Sequence, residues 1–165
     1  MSILRLFRKK PGSIIINDEI GTFILKNPLK DKTYDGDIKW LGKEVSVSLY
    51  CDSGGSLTAD IALENLHRIA AEPDDWDKKL RQCAVEYMAG EDGTVEIWGD
   101  TEDSGDTFPA ITTEEFLSRI SLGFMFVYPN GEIYFDYDLD EMFTDHGLGI
   151  SANISGEILS VGLAG

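Results

Sequence analysis

Through residues 44–50 apolar and polar side chains alternate, with Val45, Val47 and Leu49 on one side and Ser46, Ser48 and Tyr50 on the other. This is the period of a strand with one face on a core and one in water. A second strand is predicted over residues 33–40, joined to the first through the glycine-containing turn Leu41-Gly42-Lys43. Two shorter strands are expected before it, at residues 13–17 and 21–26, around a turn at Asp18-Glu19, with Asn27-Pro28 ending the second.

The period then changes. Ala59, Ala62, Leu63, Leu66, Ile69 and Ala70 recur at helical spacing and predict a helix over residues 57–71. Pro73 ends it and opens another, with Asp74 and Asp75 at the positive end. Trp76, Leu80, Cys83, Ala84, Tyr87 and Met88 line one face of that second helix. Residues 94–98 read as a short strand or an irregular helical extension. Thr112-Thr113-Glu114-Glu115 is a capping box that starts a short helix carrying Phe116, Leu117 and Ile120.

From residue 121 the strand period returns. Aromatic and β-branched runs flank Asn130-Gly131, a strong hairpin signal, and two further apolar runs close the chain. Strands, then helices, then strands, without βαβ alternation, predict an α+β fold. The expected architecture is a mostly antiparallel β-sheet with the two central helices packed on one face.

Composition adds one unusual fact. Thirty acids face fourteen bases, a net charge of −16. Arg5, Arg8, Lys9 and Lys10 lie in the first ten residues, which hold no acid, so ten bases are left against thirty acids in the rest. Residues 1–12 form a basic leader and residues 13–165 a single domain. An acidic body repels nucleic acid, whose binding needs bases to displace counterions. It would attract a basic protein or cations; the plainer reading of the acids is that they keep a small protein soluble. No apolar run reaches the roughly 20 residues of a membrane helix, and no secretion signal is visible. Cys51 and Cys83 without an export signal read as reduced thiols in the cytoplasm.

Candidate chemistry is sparse. Asp136, Asp138 and Asp140 begin like a calcium loop, but the sixth position is Glu141 instead of glycine and the twelfth is Gly147 instead of glutamate. The plainer reading is a strand end with Ile133, Phe135 and Tyr137 on its dry face and acids on the wet one. Asp145-His146 could orient an imidazole for acid–base or metal chemistry, yet the second histidine, His67, sits near the apolar stripe of a helix. Cys51 before a glycine loop could be a nucleophile if a histidine stood close; as a small core residue it needs none. The loop 52–56 has free amides for an anion but no phosphate-loop lysine. Trp40, Trp76 and Trp98 read as core anchors.

In order along the chain, Gly21-Thr22-Phe23, Tyr34-Asp35-Gly36-Asp37-Ile38-Lys39-Trp40-Leu41-Gly42 and Trp76-Asp77-Lys78-Lys79 are followed by Tyr128-Pro129-Asn130-Gly131, Phe135-Asp136, Met142-Phe143, Asp145-His146 and Leu163-Ala164-Gly165. With these landmarks the chain resembles the bacterial "domain of unknown function 2262" family. The family pattern Phe-Trp-Gly-His-Ser-Ile is replaced here by Phe143-Thr144-Asp145-His146-Gly147-Leu148. The resemblance implies a bacterial origin and no activity.

Together these readings predict a cytoplasmic, non-catalytic module that binds a basic protein, in the manner of an immunity protein or antitoxin, with no cofactor. The acidic loop residues Asp100, Glu102, Asp103 and Asp106 are its expected contact patch. The alternative is a hydrolase or metal-dependent enzyme centred on Asp138, Asp140, Asp145 and His146.

Overall fold

The computed structural model describes residues 14–27, 30, 32–51, 56–98 and 108–165. Among the described residues, eight strands form the main sheet in the order β1-β2-β3-β4-β7-β8-β9-β10. They are β1 (Ile15–Asn17), β2 (Thr22–Ile24), β3 (Thr33–Trp40), β4 (Lys43–Tyr50), β7 (Ser121–Val127), β8 (Glu132–Asp138), β9 (Gly147–Asn153) and β10 (Ile158–Ala164). Between β4 and β7 the chain makes α1 (Ser56–Ala70), α2 (Pro73–Met88), the small β5–β6 ladder (Thr94–Glu96 with Ala110–Thr112) and α3 (Thr113–Arg119). The fold is α+β with a dominant sheet, as the sequence pattern predicts.

All pairings in the main sheet are antiparallel except β4 with β7, which run parallel. A parallel pair needs a long crossover, and the helical segment supplies it. The sheet is thus one continuous surface built from both ends of the chain.

Side chains of one parity form the core. Val47, Met125, Phe135, Ile150 and Val161 face one another across five strands. Beside them run Tyr34, Leu49, Val127, Ile133 and Ala152, all buried. The helices pack on this side: the Trp76 ring of α2 lies 5.7 Å from that of Phe135. Leu80 and Ala84 are buried with Trp76, whereas Tyr87, expected on the same stripe, is half exposed. The buried Asn65 of α1 donates its Nδ2 hydrogen to the Tyr128 carbonyl at 2.9 Å, tying the helix to the β7–β8 turn. No described helix is long and apolar enough to cross a membrane.

Local chemistry fixes the turns. Leu41 and Gly42 both adopt positive φ, 49° and 80°, as a two-residue hairpin that matches strand twist requires. Thr112 caps α3 by accepting from the Glu115 amide at 3.1 Å. At the β7–β8 turn Gly131 has φ of 91°, and a Cβ there would sit 3.3 Å from Ile154 Cγ2. Gly131→Val is therefore expected to destabilise by about 1 kcal/mol or more, read from the denaturant midpoint. An unchanged midpoint would contradict the turn geometry.

Candidate functional site

The opposite parity of the sheet carries the candidate site. Among the described residues the helices pack on the apolar side, so this second face is left open. One row crosses all eight strands: Ile15, Ile24, Asp35, Ser48, Phe126, Tyr134, Ser151 and Ser160. A second row runs Asp37, Ser46, Phe124, Asp136, Gly149 and Gly162. Neither row contains a base.

Aromatic rings fill the middle. Phe126 and Tyr128 have centroids 4.6 Å apart, Tyr50 and Tyr128 5.5 Å, Tyr50 and Phe126 6.1 Å, and Phe124 and Phe126 6.4 Å. These distances are those of favourable ring pairs. All four side chains remain partly exposed. Tyr134 lies against Gly149, where a Cβ would come within 2.7 Å of its ring.

Carboxylates flank the rings. Ser48 Oγ donates to Asp35 Oδ1 at 2.6 Å and Ser46 Oγ to Asp37 Oδ1 at 2.7 Å, so serines of β4 orient acids of β3. On the other flank, burial raises the Asp136 carboxyl above its ordinary pKa; the Tyr134 hydrogen bond opposes this and the Asp138 charge adds to it. The Tyr134 phenol is raised in turn, first by burial and then by Asp136. The arrangement is an electronegative aromatic surface. It can receive guanidinium or ammonium groups through ring faces and carboxylates together.

The raised Asp136 value has a sign in stability. The folded state holds this proton more tightly than the unfolded chain, so its contribution falls as pH rises from the unfolded value towards the folded one. Relative to wild type, Asp136→Asn should therefore gain melting temperature as pH rises from about 4 towards neutrality. A difference that shrinks over that range would contradict the burial of the charge.

The other sequence-derived candidates fall elsewhere. Asp100, Glu102, Asp103 and Asp106 lie outside the described residues. Asp138 Oδ1 accepts from the Asp140 amide at 2.8 Å, and Asp140 Oδ2 accepts from Arg119 Nε at 2.7 Å. Asp145 extends into water with its side chain 93% exposed. His146 Nδ1 sits 3.1 Å from the Phe143 carbonyl, 3.0 Å from Thr144 Oγ1 and 3.5 Å from Asp145. Its ring lies 5.9 Å from that of Trp98. This corner is a pinned turn, with positive φ at Asp140, Glu141 and Thr144. Asp140 is engaged with Arg119, so the structure brings Asp145 to His146 without adding Asp140 to them. Among the described residues no three His, Cys, Asp or Glu side chains gather as a metal site would require.

His67 Nε2 instead meets Asp18 Oδ1 at 2.9 Å, linking α1 to the β1–β2 turn. Cys51 is buried and Cys83 half-buried, and neither forms a disulfide. Trp40 and Trp76 are core residues as expected; Trp98 is not, being 41% exposed and set edge-on to Phe143.

The glycines and hairpin residues that build this sheet extend over nearly the whole chain, and a family model spans the same length, matching residues 17–163. The chain belongs to the family of uncharacterized proteins conserved in bacteria, DUF2262. Within this DUF2262 chain the open sheet face lies almost wholly inside the matched region, Ile15 alone preceding it. No curated protein and no solved structure matches the chain.

Proposed function

We propose that this protein is a non-catalytic binding module that docks a basic protein on the open face of its sheet. The observation that carries the reading is the aromatic strip Phe124, Phe126, Tyr128 and Tyr50, set between Asp35 and Asp37 on one flank and Asp136 on the other, with no base in either row. Antiparallel sheets ordinarily turn a polar face to water. Aromatic residues are instead enriched where proteins meet other proteins, and rings beside acids suit arginine and lysine. The net charge of −16 adds long-range attraction for such a partner. The module works in the cytoplasm, where Cys51 and Cys83 stay reduced. Inhibition of a cationic enzyme, as by an immunity protein or antitoxin, is one role this surface would serve.

Two double variants with equal charge change separate docking from bulk charge. Asp35→Asn with Asp37→Asn keeps the oxygens that accept from Ser48 and Ser46. Asp74→Asn with Glu86→Gln removes two exposed acids from α2. With a lysine- and arginine-rich peptide as probe, the sheet pair should weaken association by about three- to tenfold, mostly through a slower on-rate, and the helix pair should leave it nearly unchanged. Equal effects of the two pairs would reduce the attraction to net charge alone.

A further inference from the structure

We propose that β10 is a pairing edge through which two copies of this chain join, strand against strand and antiparallel, about a two-fold axis at Val161. β10 ends the sheet order, and among the described residues it pairs with β9 alone. The outer backbone groups of such a strand form a template for another. Edges are usually blunted by charge, proline or shortness. The opposite edge, β1, is three residues long. β10 is seven residues long and reads Ile-Leu-Ser-Val-Gly-Leu-Ala, with neither charge nor proline. In a chain with fourteen bases and thirty acids, seven residues would ordinarily hold about two charges, so this edge lacks the protection of charge and proline and keeps only a bulge at its start.

A bulge between Ile158 and Ser160 confines the regular template to residues 160–164. Leu159 beside it is 49% exposed.

The occupant is a second copy because the local charge permits one. Two bodies of −16 repel, and β10 offers them a contact strand free of acidic side chains. With the axis at Val161, Ser160 faces the partner's Gly162. Glu157, the nearest acidic side chain, lies four residues from the axis and does not face the partner's Glu157. Its carboxylate already accepts from Asn153 Nδ2 at 2.8 Å. An antiparallel edge is self-complementary by symmetry, since each copy offers the same donors and acceptors. The pairing also carries function. Ser160 ends the row that contains Phe126 and Tyr134, so the two open faces become one bivalent surface. One strand pair buries less than the roughly 1,200 Å² of a stable interface, so the dimer is reversible.

Sedimentation equilibrium on the full chain tests this. The weight-average mass should rise from 18.3 kDa in dilute solution towards twice that value by roughly 0.5 mM. The variant Ser160→Lys with Gly162→Lys sets lysine against lysine across the axis. The fold accepts it, because Ser160 is exposed and a Cβ at Gly162 meets nothing within 4 Å. This variant lowers the overall acidity and the general repulsion, yet it should stay monomeric over the whole range with an unchanged melting curve. Gln82→Lys with Ser118→Lys adds the same charge on exposed helix positions and should associate like wild type. A wild type that remains monomeric at roughly 0.5 mM, or a β10 variant that still dimerises, would overturn the proposal.

Discussion

Phe135→Ala is expected to destabilise the protein by about 3–5 kcal/mol. Phe135 is fully buried at the centre of the sheet, between Met125 and Ile150, with the Trp76 ring of α2 above it. Truncation removes the ring's transfer energy and leaves a cavity whose walls are held by four elements, so relaxation is limited. The informative control is Phe126→Ala. Phe126 lies on the neighbouring strand with the opposite parity and is partly exposed, so the loss should be far smaller. Denaturant titration with a constant m-value measures both. If the two substitutions cost the same, the assignment of the sheet's two faces is wrong.

Gly36→Ala is expected to cost about 1–3 kcal/mol, more than a methyl group normally does in a strand. A Cβ at Gly36 would collide with the Thr22 carbonyl oxygen and come within 2.8 Å of Phe23 Cδ1. The first obstacle is backbone and cannot swing aside as a side chain would. A Cβ at Gly21 would likewise sit 2.7 Å from the Asp37 carbonyl oxygen. The two glycines let β2 cross close over β3 and seat the fully buried Phe23. The landmark segments Gly21-Thr22-Phe23 and Tyr34-Asp35-Gly36-Asp37 are therefore in contact, although more than ten residues apart in sequence. Wild-type stability in Gly36→Ala would contradict that close approach.

The fold was legible wherever one periodicity dominated. The alternation in β4, the stripe of α1, the Thr112 cap of α3 and Asn130-Gly131 each specify one local conformation, and the structure contains all four; of the capping box it shows the Thr112 half, whose hydroxyl accepts from the Glu115 amide. The parallel β4–β7 pair was not legible, because no local pattern encodes which strands meet after a long crossover. The open face was hidden for a different reason. In β7 both faces are apolar: Met125 and Val127 turn to the core, joined by Leu122 through the bulge between Leu122 and Phe124, while Phe124 and Phe126 turn outward. The sequence cannot say which set is covered. Carboxylates lie close in sequence at residues 136–145, but the strand end and its turn direct them to different partners: Asp136 to the sheet face, Asp140 to Arg119, and the exposed Asp145 to Thr144 and His146. The acids of β3 that flank the rings are eighty-odd residues from β7, and only sheet pairing through β4 unites them.

Backbone amide shifts, recorded while an arginine- and lysine-rich peptide is added at low salt, test the docking surface most directly. Ser46, Ser48, Phe124, Phe126, Tyr134 and Asp136 should move together and return as salt screens the charges. The amides of α1 and α2 should stay in place. Shifts concentrated on the helices, or none on the sheet, would contradict the assignment of the open face as the binding site.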